Sequence, residues 1–89
     1  MNFEWDEEKA RANLEKHGVS FEEAATVFED PLAVTRTDDV HLERSIIVGR
    51  SAKDRVLLCV YVEFIEDEVR IISARRTTRQ ERTDYEEGT

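Results

Sequence analysis

An α+β fold, with helices on one side of a curved sheet, is the class this sequence predicts, and three observations predict it. Two short amphipathic segments framed by capping residues fill the first 30 positions; the apolar period changes to two at Leu32; and a last, polar segment opens on a second capping box at Thr78. The expected order is a short N-terminal strand, two helices, a four-stranded antiparallel curved sheet and a C-terminal helix. All of it falls within residues 1–89 of one small domain.

Phe3-Glu4-Trp5 alternates like a short edge strand, and Asp6 then caps a helix over 7–17 whose first turn holds Glu7 and Glu8, matched to the helix dipole. Ala10, Asn13, Leu14 and His17 fall on its inner face, and Gly18 ends it as a left-handed residue. Ser20 with Glu23 spells a capping box for a second helix, which buries Phe21, Ala24, Ala25 and Phe28 and stops at Asp30-Pro31. Strands follow over 32–37, 44–50, 56–64 and 69–75, the third a nearly continuous apolar run suited to a central position. The turns at 51–54 and 65–68 are too short for anything but antiparallel neighbours. The final helix starts at the Thr78/Glu81 box and ends at Gly88.

No apolar run nears the roughly 18 residues of a bilayer span, and the N-terminus lacks the order of a signal peptide, so a cytoplasmic protein without membrane contact is expected. A lone Cys59, read as core filler, permits no internal disulfide, and with only His17 and His41 beside it neither a metal nor another cofactor is expected. Trp5 and Phe3, Phe21, Phe28 and Phe64 are read as core, and His41 as a loop residue. The net charge of −8 hides an asymmetry: positions 69–82 carry five arginines (Arg70, Arg75, Arg76, Arg79 and Arg82) against Glu81 alone. An arginine strip on an acidic body points to a phosphate ligand or an acidic partner.

Strict alternation along the last strand puts Val69, Ile71, Ser73 and Arg75 on one face and Arg70, Ile72, Ala74 and Arg76 on the other. The C-terminal helix has no apolar stripe; Thr78, Glu81, Arg82 and Tyr85 form one polar and aromatic face. One reading makes this a solvated face with ordinary surface pairs. The other makes the arginines a phosphate clamp for metal-free cleavage of RNA by its own 2′-hydroxyl, with Glu81, Tyr85 or His17 transferring protons. Such a reaction needs a base, a cation for the extra charge on phosphorus, and an acid for the leaving 5′ oxygen. Arginine fits the cation role because it stays charged and offers a planar fork of donors. Glu81 is the better base candidate, helped if burial raises its pKa, and Tyr85 could stack on a base or relay a proton. His17 in the last turn of its helix reads either as a cap favoured by the dipole or, with Lys16, as an RNA contact.

Phe3-Glu4-Trp5-Asp6, Lys9, the run from Asn13 to Ala24 containing KHGVSFEEA, Phe28, Asp30-Pro31, Arg44, Gly49, RIISAR at 70–75 and the Thr-Arg-x-Glu-Arg stretch with its Tyr-Glu pair together resemble the BrnT family of bacterial toxins. The resemblance implies a RelE-like ribonuclease toxin of a type II toxin-antitoxin system, which cleaves RNA, free or on the ribosome, and arrests translation. It implies a BrnA-like ribbon-helix-helix antitoxin as partner, through which alone operator DNA is met. Arg75, Arg70, Arg44, Lys16, His17, Glu81 and Tyr85 stand at matching motif positions, whereas Arg76 occupies a place where lysine is common. The expected catalytic set is Arg75, Glu81, Tyr85, Arg70 and His17, and the expected RNA contacts are Lys16, Arg44, Arg76, Arg79 and Arg82. The alternative is a non-catalytic module that binds an antitoxin and acts only in operon repression.

Overall fold

A computed structural model describes residues 1–65 and 67–88, so Glu66 in the expected 65–68 turn lies outside the described residues. The elements are β1 (Asn2–Glu4), α1 (Glu7–His17), α2 (Phe21–Thr26), a 3-10 turn at Val27–Glu29, β2 (Val34–Thr37), β3 (Ser45–Arg50), β4 (Val56–Glu63), β5 (Glu68–Arg76) and α3 (Arg79–Glu87). They form an α+β arrangement around one sheet of order β1-β5-β4-β3-β2. The pairings from β2 to β5 are antiparallel, as the short turns require. The four-stranded antiparallel sheet expected from sequence is nevertheless incorrect: β1 joins it as a fifth strand, parallel to β5, with Phe3 opposite Val69. Sequence spacing could not show this pairing, because both helices and three strands lie between its partners, so no turn length fixes their direction.

Capping starts both helices at the expected residues, but the box expected at Ser20 forms only by half, because the Glu23 carboxylate goes to Arg55 and Ser51 instead of the Ser20 amide. Asp6 accepts from the amides of Glu8 and Lys9, Ser20 accepts from the amide of Glu23, and Gly18 closes α1 at a φ of 69°. Leu14 is 50% exposed, so the inner stripe of α1 is narrower than its period suggested. Asn13 carries that face instead. Its buried amide donates to the carbonyls of Val19 and Ala74 and accepts from the Ala74 amide. Those Ala74 groups lie beyond the end of β1, so the Asn13 side chain takes the place of a strand there, satisfying an edge that would otherwise be buried unpaired.

The core lies between the helices and one face of the sheet, here called the inner face. It holds Val19, Phe21, Ala24, Val27, Ile47, Leu57, Cys59, Tyr61, Val69, Ile71 and Ala74, with Phe3, Trp5 and Phe28 packed against it. Phe28 meets Phe3 and Tyr61 edge to face, at centroid distances of 5.1 and 4.9 Å. Phe64 is the exception among the aromatics expected inside: it follows the end of β4 and is 46% exposed. At Gly49 the sheet approaches the 3-10 turn so closely that a Cβ would lie 2.9 Å from both Ala33 Cβ and Val27 Cγ1.

One irregularity in β5 decides which way its arginines point. Val60 pairs with Ser73 but Tyr61 pairs with Ile71, so Ile72 is an extra residue, a β-bulge. The alternation slips by one there. Val69 and Ile71 before the bulge and Ala74 after it are all buried on the inner face. The face assignments predicted by strict alternation are therefore wrong: Arg75, in register with Leu58, shares the opposite, outer face with Arg70, in register with Val62.

Candidate active site

Across the outer face, Val34, Val48, Leu58 and Arg75 form one cross-strand row, since each is the register partner of the next. The helix α3 faces this row across an open cleft. Thr77 and Thr78 redirect the chain after β5, and a complete capping box between Thr78 and Glu81 starts the helix. The box fixes Glu81 in the first turn, where its carboxylate meets Arg75 in a two-pronged ion pair, Nη1 to Oε1 and Nη2 to Oε2, both 2.9 Å.

Arg75 has five N–H donors. Two go to Glu81 and another, from Nη1, goes to the Arg76 carbonyl at 3.1 Å. The Nε–H and the second Nη2–H keep no partner among the described residues, and the side chain is 38% exposed. Glu81 thus grips the guanidinium by one edge and leaves the Nε/Nη2 edge open, an edge shaped for two phosphate oxygens.

The same pair sets the charge of Glu81. The hydrogen bonds from Arg75, and less so those from Thr78, outweigh a desolvation that acts upward and pull its pKa down to about 2. A pKa raised by burial would help Glu81 as a base; the direction is the reverse, because the arginine lies within contact. Tyr85, one turn on, donates its hydroxyl to Asp30 Oδ2. Burial, then the hydrogen bond to Asp30, raises the Tyr85 pKa. For Asp30 desolvation acts upward, yet the hydrogen bonds from Tyr85 and from the amides of Arg50 and Leu32 lower the pKa. Between α3 and the sheet lies an open cleft of about 280 Å³ lined by Val34, Arg36, Val48, Leu58, Glu81, Asp84 and Tyr85. Its floor is aliphatic and one wall carries carboxylates.

The structure brings together Arg75, Glu81 and Tyr85 from the expected catalytic set. It does not bring the other two. Arg70 lies five residues back along β5, about 16 Å at strand rise, and pairs with Glu4 at 2.7 Å. His17 ends α1, which packs on β5 from the inner side. Of the expected RNA contacts, Lys16 shares that helix end, Arg44 precedes β3 and lies four residues along the chain from Val48 of the outer-face row, Arg79 is exposed on α3, Arg82 pairs with Glu86 at 3.2 Å, and Arg76 points away from Arg75. Asp30 and Arg36 were missed. Asp30 reads in sequence as a helix stop and as part of the family resemblance, and Arg36 as an alternating strand residue; neither carries a local signal of the cleft, which Arg36 lines and Asp30 meets through Tyr85 only on folding.

An outer-face arginine held by a capping-box glutamate, beside a tyrosine and a cleft with an aliphatic floor, defines a class: a small α+β protein with a five-stranded mixed sheet and a partly open guanidinium on its outer face. Residues 5–81 match the family model described as the ribonuclease toxin, BrnT, of type II toxin-antitoxin systems, and the chain belongs to that family. Its fold is similar to that of the Brucella abortus ribonuclease toxin BrnT, known from a 1.1 Å crystal structure, with a TM-score of 0.72 at 20% identity over 89% of this chain and 99% of the other. No curated protein matches the chain significantly. Among the described residues no helix is long and apolar enough to cross a membrane.

Proposed function

We propose that this chain cleaves RNA without a metal, by attack of a ribose 2′-hydroxyl on the adjacent phosphate, and so arrests translation in the cytoplasm until a BrnA-like antitoxin covers it. The observation that carries the reading is the half-occupied guanidinium of Arg75. Its open Nε/Nη2 edge takes two non-bridging oxygens of the scissile phosphate, while Glu81 keeps the fork in place. As the O2′–P bond forms and the P–O5′ bond breaks, the growing charge on phosphorus meets a cation that is already oriented.

The proton of the 2′-hydroxyl goes to a carboxylate of the cleft and one is returned to the 5′ oxygen, leaving a cyclic phosphate and a 5′-hydroxyl. Glu81 is too weak a base while Arg75 alone faces it. A phosphate seated on the same guanidinium adds negative charge nearby and raises the Glu81 pKa, so substrate binding itself improves the base. Tyr85, which keeps its proton above the usual phenol range, serves as donor to the leaving oxygen, and Asp30 positions it. A nucleobase rests on Val34, Val48 and Leu58 in the cleft. Arg70, His17, Lys16, Arg44, Arg79 and Arg82 act in this reading along the RNA and away from the reacting phosphate.

Expression of the chain alone tests the reading in cells. Growth should slow and RNA integrity fall with the wild type, and Arg75→Ala should relieve both. Unaffected growth and intact RNA with soluble, folded wild-type protein would favour the non-catalytic, antitoxin-binding alternative.

A further inference from the structure

A second cleft, smaller and of different character, opens where the β3–β4 turn meets the junction of β5 and α3. It encloses about 90 Å³ and is lined by Asp54, Arg55, Val56, Arg76, Thr77 and Arg82. No aromatic ring lines it, and it has room for a few water molecules or one compact anionic group but not for a nucleobase.

Three guanidinium groups converge here in different states. Arg55 is anchored to the buried carboxylate of Glu23 through Nε and Nη2, and its Nη2 also donates to the Gly18 carbonyl at 3.1 Å. That leaves its Nη1 donors uncommitted among the described residues. Arg82 spends only Nε among the described residues, on Glu86. Arg76 has no side-chain partner among the described residues, so its whole fork is available. Thr77 contributes a wall without donors, since its amide and hydroxyl both go to the Val56 carbonyl at 3.3 Å. The one acid, Asp54, is 84% exposed at the rim and already answered by Arg50 at 3.0 Å. The cleft therefore offers many donors, few acceptors and one cation without a counter-ion. Such a lining suits a phosphodiester.

Its position gives the ligand a source. Arg75 and Arg76 are consecutive on β5, so they point to opposite faces, one toward the outer-face cleft and one toward this one. The Arg55–Gly18 bond joins the cleft to the end of α1, where Lys16 and His17 stand. We propose that this second cleft is a phosphate subsite for the RNA backbone, occupied by a phosphodiester flanking the one held at Arg75, with Arg76 as its principal contact. The inference rests on the ribonuclease reading above, and it adds a place where the strand is held apart from the place where it is cut.

Binding to a single-stranded RNA methylated at every 2′-oxygen tests it, because that strand lacks the attacking hydroxyl and reports holding alone. Arg76→Ala should weaken binding about tenfold or more and reduce the slope of log affinity against log salt by about 0.7, the share of one single-strand phosphate. Arg76→Lys should fall between, keeping the charge but losing the fork. Arg11→Ala, which removes an exposed charge from the outside of α1, should change both far less. A scan with one neutral methylphosphonate at a time should find one linkage whose neutralisation weakens the wild type but not Arg76→Ala. Affinity and salt slope equal for Arg76→Ala and Arg11→Ala, or no such linkage, would overturn the subsite. Failure of the wild type to cut unmodified RNA is a different result: it would sink the ribonuclease reading and leave this binding measurement standing.

Discussion

At the scale of single residues, the account turns on how Arg75 and Glu81 share hydrogen bonds. A lysine at 75 keeps the charge, but it cannot grip a carboxylate by one edge and a phosphate by another. Arg75→Lys should therefore cut RNA at least about 100-fold more slowly than wild type, the loss typical of removing an oriented transition-state contact, with circular dichroism confirming an intact fold. Wild-type rates in that variant would show that charge alone suffices. The pH dependence follows from the direction of the Glu81 shift. Its folded pKa of about 2 lies below the ordinary 4.5, so the pair contributes its full stability above about 4.5 and loses it as pH falls toward 2. Amides of α3 should thus stay protected at pH 5 and lose protection on acidification through that window, and Glu81→Gln should be weakly protected at pH 5 already. A pH-independent profile in the wild type would contradict the pairing. In the sequence Arg75, Glu81 and Tyr85 were legible through the strip and the capping box. The sign of the Glu81 shift was not, because it depends on a contact six residues away whose geometry the bulge creates.

At the scale of elements, the bulge at Ile72 and the strand-like amide of Asn13 do what no periodicity announces. An alternating strand reads the same with or without an inserted residue until burial is known, so the faces of Arg70 and Arg75 could not be taken from the pattern. The position of Asn13 on the inner face was legible; that it finishes the edge of the sheet was not. Asn13→Ala leaves the Ala74 amide and two carbonyls buried without partners, a loss of about 2–3 kcal/mol that thermal or urea unfolding would register. An unchanged midpoint would mean that water or a shifted strand replaces the side chain. The helix α3 buries no residue fully and is held by polar contacts, Arg75–Glu81, Tyr85–Asp30 and Arg50–Glu86 among them. Its amides should exchange faster than those of β4, the central strand, and slow markedly when a partner covers it. Equal exchange in both elements would show a helix more firmly docked than these contacts allow.

Over the whole molecule, Arg75 faces one cleft, Arg76 and Arg82 line another, and Arg70 and Arg79 lie outside both; in the proposed reading this concentration of cations at two places is what lets a chain of net charge −8 hold RNA. Long-range attraction is weak, so holding depends on contact. The same geometry suits inhibition by a protein that lays acidic and apolar side chains over α3 and the outer-face cleft, and association with it should slow as salt rises while dissociation changes little. Antitoxin association independent of salt would place the interface elsewhere. The central claim is that Arg75, without a metal, stabilises the reacting phosphate. Incubating single-stranded RNA with purified wild-type and Arg75→Ala protein in excess chelator, and identifying the product ends, tests it most directly. The account predicts cleavage by the wild type to 2′,3′-cyclic phosphate and 5′-hydroxyl ends, with a loss of at least about 100-fold in the variant. Intact RNA with the folded wild type, cleavage that returns only on adding magnesium, or equal rates for the two proteins would contradict it.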